Sequence, residues 1–359
     1  MTQVLNPLRF RATLFDWHKS VSRPMPWKGE KDPYRIWLSE IILQQTRVEQ
    51  GLPYYEKFIS TFPNLESLAE APEQKVLKLW EGLGYYTRAR NLLRCARVVR
   101  DQFGGRFPES FPELLQLPGI GPYTAAAIAS FAFQVPVAAV DGNVERILSR
   151  IWGLATPVNL PEGKKEISAL AMELLDTGMP GLFNQAMMDF GALQCLPRNP
   201  LCHQCPFREC CIAHLTKRTA ALPVKIKKQE KKRRFFHYLI ILSDSEVFVR
   251  QRPQGDVWAS LWEFPLVEGT SLDLSLSELI DLSPQLKILP QVQLVHSSRT
   301  YLQTLTHQQI AARFWTFRMM AALPELAGLQ RISFETIREA PLPGIIRSYL
   351  EDAVLTLPM

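Results

Sequence analysis

Up to about residue 215 the apolar positions recur at helical spacing; beyond about residue 232 the rhythm changes to short aromatic and β-branched runs. In "DPYRIWLSEIILQQTRVEQ" the apolar Ile36, Trp37, Ile41, Ile42 and Leu43 fall near a 3.6-residue repeat and predict an amphipathic helix. "APEQKVLKLWEGLG" opens with Pro72 and Glu73 and stops at Gly82 and Gly84, the punctuation of a short helix. "KKEISALAMELLDTG" follows the same grammar. After residue 232, "FFHYLIIL", "EVFVRQR", "LWEFPLV" and "RFWTFRM" have the length and composition of strands bounded by turn residues. "SLSELIDL" and "ETIREA" predict one or two helices among them. The expected fold is therefore multidomain: an all-α domain followed by a smaller α+β domain.

Length and charge sharpen that division. A chain of 359 residues exceeds what one core comfortably serves. Residues 1–216 carry 23 Lys and Arg against 21 Asp and Glu; residues 217–234 carry nine against one; residues 235–359 carry nine against 13. The basic excess thus sits in "KRTAALPVKIKKQEKKRR". Boundaries are expected at 1–216 for the helical domain, 217–234 for a basic linker and 235–359 for the second domain. Alone, such a run reads equally well as a solvated linker; beside a DNA-binding domain it becomes a strap that tracks phosphates. No apolar run approaches the ~20 residues that span a bilayer. "MTQVLNPLRFRATLFDWHKS" lacks the marks of a signal peptide, so a cytoplasmic location is expected.

Four of the six cysteines are spaced Cys195-x6-Cys202-x2-Cys205-x5-Cys211. Disulfides are disfavoured in a cytosolic chain. Structural zinc usually takes two separated pairs, and only one Cys-x-x-Cys is present. A compact four-thiolate loop suits a [4Fe–4S] cluster better, in a structural role, because no flavin, haem or nicotinamide motif accompanies it. Cys210 is an alternative ligand beside Cys211, and Cys95 reads as packing on a helix.

"FPELLQLPGIGPYTAAAIASFAF" predicts a helix, a tight Gly-x-Gly turn and a second helix. The backbone N–H groups of such a turn, near Gly119 and Gly121, can hold an anion. Glu40 lies among Trp37, Leu38, Ile41 and Ile42, surroundings that raise a carboxyl pKa toward neutrality. Asp141, in "AAVDGNVERIL", reads as an N-cap or as a catalytic acid.

Together "WLSEIILQQTRVE", "EGLGYYTRARNL", "LPGIGPYTA", "VDGNVERIL", "FNQAMMDFGALQC" and the four-cysteine loop resemble the adenine DNA glycosylase family of the helix-hairpin-helix superfamily. The resemblance is dense from about residue 20 to 214. It implies a repair enzyme that flips adenine mispaired with 8-oxoguanine or guanine out of double-stranded DNA and hydrolyses its glycosidic bond. The implied cofactor is one [4Fe–4S] cluster on Cys195, Cys202, Cys205 and Cys211. A monomer is expected. Glu40 would protonate the adenine ring at nitrogen 7, Asp141 would stabilise the oxocarbenium ion, and Asn143 would support Asp141.

Related lyases carry a catalytic Lys where this chain has Tyr123. No Lys occurs between Phe107 and Val144. A phenol is a poor amine but a good hydrogen-bond donor, so a monofunctional glycosylase that leaves the abasic site uncut is expected. By the same resemblance, Gln45 and Tyr86 would wedge beside the oxidised guanine, with Thr46 alongside. Arg23, Trp27 and Leu43 would line the adenine pocket.

Residues 235–359 resemble a Nudix-like domain that recognises oxidised guanine. "GDVWASLWEFPLVEG" echoes the start of that fold's catalytic segment, but "TSLDLSLSEL" replaces its Mg²⁺-binding Arg-Glu and Glu-Glu pattern, so a binding module is expected. Leu305, Thr306 and His307 stand where the family usually has Phe-Ser-His, and Thr306 and His307 would face DNA. Two rivals remain: a pyrimidine-damage glycosylase/lyase, opposed by Tyr123, and a non-catalytic DNA-binding protein, opposed by the two acids.

Overall fold

As the periodicity predicts, helices dominate as far as Leu215 and strands take over from Lys232. The computed structural model describes residues 5–21, 23–226, 230–243, 246–289, 292–319 and 324–353. The chain divides its packing between two units, one built from residues 1–71 and 91–227, the other from residues 72–90 and 228–359. The helices up to Leu215 are α1 (Pro7–Lys19), α2 (Pro33–Leu43), α3 (Val48–Thr61), α4 (Leu65–Ala69), α5 (Glu73–Leu79) and α6 (Thr87–Phe103). They continue with α7 (Phe111–Leu114), α8 (Pro122–Phe133), α9 (Gly142–Trp152), α10 (Pro161–Leu174), α11 (Pro180–Leu193) and α12 (Ile212–Leu215). Among the described residues no helix is long and apolar enough to cross a membrane.

In the first unit, polar side chains start the helices where the sequence offers them: Asn6 caps α1, Asp32 caps α2 and Asp141 caps α9. One core gathers Phe10 and Leu14 of α1, Ile147, Leu148 and Ile151 of α9, and Phe183, Met187 and Phe190 of α11. Phe207 joins it from the cysteine loop and stacks on Phe10 at 5.0 Å. Helix α8 buries Ala125, Ala126, Ala127 and Ala129, and packs against both α2 and α11. Those small side chains bring its neighbours close, and this sets the spacing of the site described below. Within the basic stretch expected as a linker, Leu222 is buried in this core and Val158 donates a backbone hydrogen bond to Val224. The stretch resumes at Lys232 inside a strand.

The second unit is built on a mixed sheet of β1 (Lys232–Ser243), β2 (Glu246–Gln251), β3 (Trp262–Glu263), β4 (Leu266–Gly269), β5 (Val292–Ser297), β6 (Tyr301–Thr304), β7 (Gln308–Met319) and β8 (Gln330–Ser333). Strands run β3-β2-β1-β7-β5, with β4 on β1, β6 on β7 and β8 on β2. The long central β1 and β7 pair in parallel, Lys232 beside Gln308 through Leu242 beside Arg318. Around them lie α13 (Leu276–Leu282), α14 (Pro284–Ile288), α15 (Phe334–Glu339) and α16 (Gly344–Ala353). Strands β1, β2, β3, β4 and β7 and helices α13 and α15 fall where the sequence predicts them. Strands β5, β6 and β8 were not anticipated: β5 and β8 alternate weakly and β6 is only four residues long.

Residues 72–90 belong to this second unit although the sequence places them in the middle of the helical run. Gln74 donates to the Ser260 carbonyl and accepts from the Trp262 indole. Lys78 donates to the carbonyls of Arg338 and Ala340, and Arg347 forms an ion pair with Glu81 at 2.6 Å.

Candidate active site

A cleft of about 810 Å³ opens in the first unit, walled by α2, the start of α8, the start of α9 and α11. Glu40 reaches it from α2, with Trp37, Leu38, Ile41 and Ile42 buried around its base as the sequence implied. Burial lifts its carboxyl to about 7; a hydrogen bond from Tyr123 pulls down and the nearby Asp141 charge pushes up. The Tyr123 hydroxyl donates to Glu40 Oε2 at 2.6 Å. Burial, with the neighbouring acids, drives the phenol well above its ordinary pKa, so it stays a donor.

Asp141 enters the cleft as the N-cap of α9, so its two expected readings coincide in one side chain. Its Oδ1 accepts from the backbone N–H groups of Asn143 at 2.9 Å and Val144 at 2.8 Å, and its Oδ2 accepts from Asn143 Nδ2 at 2.6 Å. Burial pushes the Asp141 carboxyl up, against these donors and the Arg146 charge. Arg146 donates to Asn143 Oδ1, the Gly191 carbonyl and the Cys195 carbonyl, each at 2.8 Å. One helix therefore joins the acid to the cysteine loop.

Arg23, Trp27, Leu43, Gln45 and Thr46 all line the cleft. Trp27 meets Tyr55 edge-on at 5.1 Å. Gln45 holds a left-handed backbone at φ 58°, a strained conformation at the cleft wall. The Arg23 guanidinium pairs with Asp189 at 3.2 Å, an acid the sequence reading passed over. Asp189 is fully buried on α11 and also meets Lys28 at 2.9 Å, His18 at 3.0 Å and Gln185 at 3.2 Å. Burial pushes its carboxyl up, but the donors prevail and hold it below the usual range. His18, Lys28 and Gln185 face the same cleft. The available signal was an acid amid Phe183, Met187, Met188 and Phe190, the logic that singled out Glu40.

In the hairpin, Gly119 sits at φ 78° and a Cβ there would lie 2.6 Å from Asn91 Cβ, so only glycine fits. Gly121 starts α8 with no side-chain cap, and a Cβ there would meet open space. The first-turn N–H groups of α8 thus remain available to an anion.

Three of the expected contacts, Tyr86, Thr306 and His307, belong to the second unit. Tyr86, expected as the wedge, is only 7% exposed and donates to the Leu342 carbonyl at 3.2 Å. Tyr85 is 49% exposed, because its left-handed backbone at φ 50° turns it out of the core. Its hydroxyl lies 2.7 Å from Thr306 Oγ1. Leu305 and Gln308 close the hairpin of β6 and β7, so Thr306 and the exposed His307 occupy its tip.

Cys195, Cys202, Cys205 and Cys211 line one apolar recess with Phe190 and Arg150, and Cys210 is not among its walls. Burial pushes the Cys205 thiol up to about 12, and its three neighbouring cysteines push the same way. Four thiolates could share this recess only with a cation among them. Among the described residues no three such ligands stand close enough for a single metal ion. A four-iron cube takes one sulfur at each of four corners, and four thiols around one apolar recess are a donor set that fits it.

Residues 38–176 match the model of the HhH-GPD superfamily base excision DNA repair proteins, and residues 237–352 match the NUDIX domain. The adenine DNA glycosylase of Buchnera aphidicola subsp. Baizongia pistaciae is 38% identical over 268 residues, 73% of this chain and 74% of that protein. The human adenine DNA glycosylase is 40% identical over 213 residues, 57% of this chain and 39% of that protein. Among solved structures, a thermostable thymine-DNA glycosylase superposes with a TM-score of 0.55 at 33% identity, over 58% of this chain and 97% of that one. Endonuclease III in a non-covalent DNA complex gives 0.52 at 21% identity, over 60% and 99%, a likeness of fold.

Proposed function

The chain belongs to the adenine DNA glycosylases, base excision repair enzymes that hydrolyse an N-glycosidic bond, and from that premise we propose that it removes adenine paired with 8-oxoguanine or guanine and leaves an abasic site uncut. The observation that carries the reading is the meeting of Glu40, held near neutrality, with Asp141 in one cleft. The partner is double-stranded DNA, bound by a monomer; Endonuclease III, of the same fold, is known in complex with DNA.

With Tyr123 donating to Glu40 Oε2, the acid proton is left on Oε1, where it can pass to the adenine ring and turn the base into a leaving group. As the bond breaks, positive charge gathers on the sugar. Asp141, fixed by three donors, supplies the opposing anion without reorganising. Asn143 holds that carboxylate in place. Arg23 and Lys28, anchored on the buried Asp189, present donors at the α11 side of the cleft, where the adenine ring nitrogens are acceptors to match. Trp27 and Leu43 supply apolar walls for the flipped base, while Gln45, with Thr46 alongside, keeps the wedge role beside the oxidised guanine.

Tyr123 has no amine with which to form a Schiff base. The lysines of the cleft are engaged, Lys28 with the Asp189 carboxylate and Lys31 with the Phe131 carbonyl. Cys195, Cys202, Cys205 and Cys211 would hold a [4Fe–4S] cluster whose contribution is to fix the loop behind α9. In the second unit, Tyr85 takes the wedge role, and Thr306 and His307 read the oxidised guanine. Arg234, Arg250 and Arg252 pair with the carboxylates of Asp256, Glu263 and Glu268, which commits these three acids to ion pairs and supports a binding module over an Mg²⁺-dependent hydrolase.

The test uses duplexes with adenine opposite 8-oxoguanine, adenine opposite guanine, and an oxidised pyrimidine. Breaks in the adenine strand only after alkali support the reading. Breaks without alkali, or a borohydride-trapped adduct, overturn monofunctionality, and activity on the pyrimidine alone overturns the substrate.

A further inference from the structure

We propose that Gly191 is a positioning residue for the Asp141 carboxylate: without a side chain of its own, it gives Asn143 the room to hold that acid. The proposal rests on the reading of Asp141 as the group that opposes the sugar charge.

Gly191 lies near the end of α11, against the first turn of α9. A Cβ built on it would stand 2.5 Å from Asn143 Cβ, 3.0 Å from its Cγ and 3.1 Å from its Oδ1. No ordinary contact between carbons is that short, and three atoms of one side chain are struck at once. The glycine has no other evident reason, since its backbone is ordinary helix. Glycine inside a helix is less stable than alanine, so the sequence gives up stability here.

What the room permits is a fixed order of three groups. Arg146 donates to the Gly191 carbonyl and to Asn143 Oδ1, both at 2.8 Å. A guanidinium has no acceptor, so the amide oxygen must face it and the amide nitrogen must face away. That nitrogen then points at Asp141 Oδ2, 2.6 Å off. Gly191 thus acts twice, by its bare Cα toward Asn143 and by its carbonyl toward the arginine that sets the amide. A methyl group here pushes Asn143 off this line, and with it the first turn that Asp141 caps.

The experiment compares Gly191→Ala in the holoenzyme with the same change in an Asn143→Gly background. Single-turnover excision from a duplex with adenine opposite 8-oxoguanine gives the rate, and a duplex with a non-hydrolysable deoxyadenosine analogue gives the affinity. Expected is a rate loss of about 10²-fold, the scale of a misplaced catalytic group, with affinity and visible iron–sulfur absorbance unchanged. In the Asn143→Gly background the alanine should cost nothing further, because the atoms it strikes are gone. An equal rate loss in both backgrounds, or a loss of affinity matching the loss of rate, overturns the proposal and leaves Gly191 a helix-packing residue. Should Gly191→Ala not fold, Asn143→Gly must restore its melting temperature, and failure to do so overturns it too. Asp141→Asn is run alongside: if it excises at the wild-type rate, the reading of Asp141 fails, whereas the Gly191–Asn143 coupling is still read from melting temperatures.

Discussion

Tyr123 and Glu40, 83 residues apart in sequence, share a hydrogen bond of 2.6 Å between the phenol and carboxylate Oε2. The phenol favours the ionised acid while burial opposes it, and the balance sits at about 7. A general acid must carry its proton, so excision should fall as pH rises through about 7. In Tyr123→Phe the lowering contact is gone, the Glu40 pKa rises, and the alkaline limb of the single-turnover profile should move to higher pH. A limb unmoved or displaced downward sinks the assignment of that limb to Glu40.

Glu40→Gln should abolish excision and leave mispair binding measurable. It should also separate activity from stability. Because the folded pKa of Glu40 lies above its ordinary 4.5, its favourable contribution is present below that value and is lost as pH rises through about 7. The glutamine variant should therefore gain melting temperature relative to wild type at pH 8 but not at pH 4. Thermal melts at the two pH values decide.

Tyr85→Ala should weaken binding to the mispair by about 1–3 kcal/mol, the worth of one aromatic stacked on a base, with little change in melting temperature. Tyr86→Phe should do the reverse: binding unchanged and stability lower by about 1 kcal/mol, the lost hydrogen bond to the Leu342 carbonyl. Titration of both variants against the same duplex would return the wedge to Tyr86 if the pattern were inverted.

Asp189→Asn removes the carboxylate that Arg23 and Lys28 share and should destabilise the fold by about 3 kcal/mol. That is the low end for a broken buried pair, since both cations keep a quarter of their surface in water. In wild type the lowered Asp189 pKa gives stability that is present above about 4 and lost as pH falls through the folded value. Urea unfolding at pH 7 and pH 3 should show the gap between wild type and variant shrinking in acid.

Truncation after residue 226 should loosen residues 72–90, which lose Ser260, Trp262, Ala340 and Arg347 as partners. Hydrogen exchange of these amides should rise in the fragment while that of α9 and α11 stays near the full-length value. Equal protection in both proteins would mean the segment holds its shape alone.

Much of the site could be read from residues because its chemistry leaves local marks. Glu40 is legible as an acid in an apolar helix, Asp141 as a cap that follows an extended stretch, and the cysteine loop by spacing. What escaped depends on the third dimension. Asp189 gains its meaning from Arg23 and Lys28, more than 160 residues away. Tyr85 and Tyr86 are adjacent and chemically identical; only the positive φ at Tyr85 decides which one faces outward. The same holds for residues 72–90, whose helical pattern is correct and whose allegiance to the sheet is invisible in it.

That allegiance has a consequence for how the protein is made. Residues 72–90 leave the ribosome before any of their partners, and the strands they join begin about 140 residues later. At roughly 5–20 residues per second, Trp80 and Tyr86 must wait on the order of ten seconds or more with nothing from the sheet to cover them. The nascent helical half is complete in sequence well before it is complete in structure, and whatever shields "LWEGLGYY" during that interval determines how much of the chain reaches its folded state.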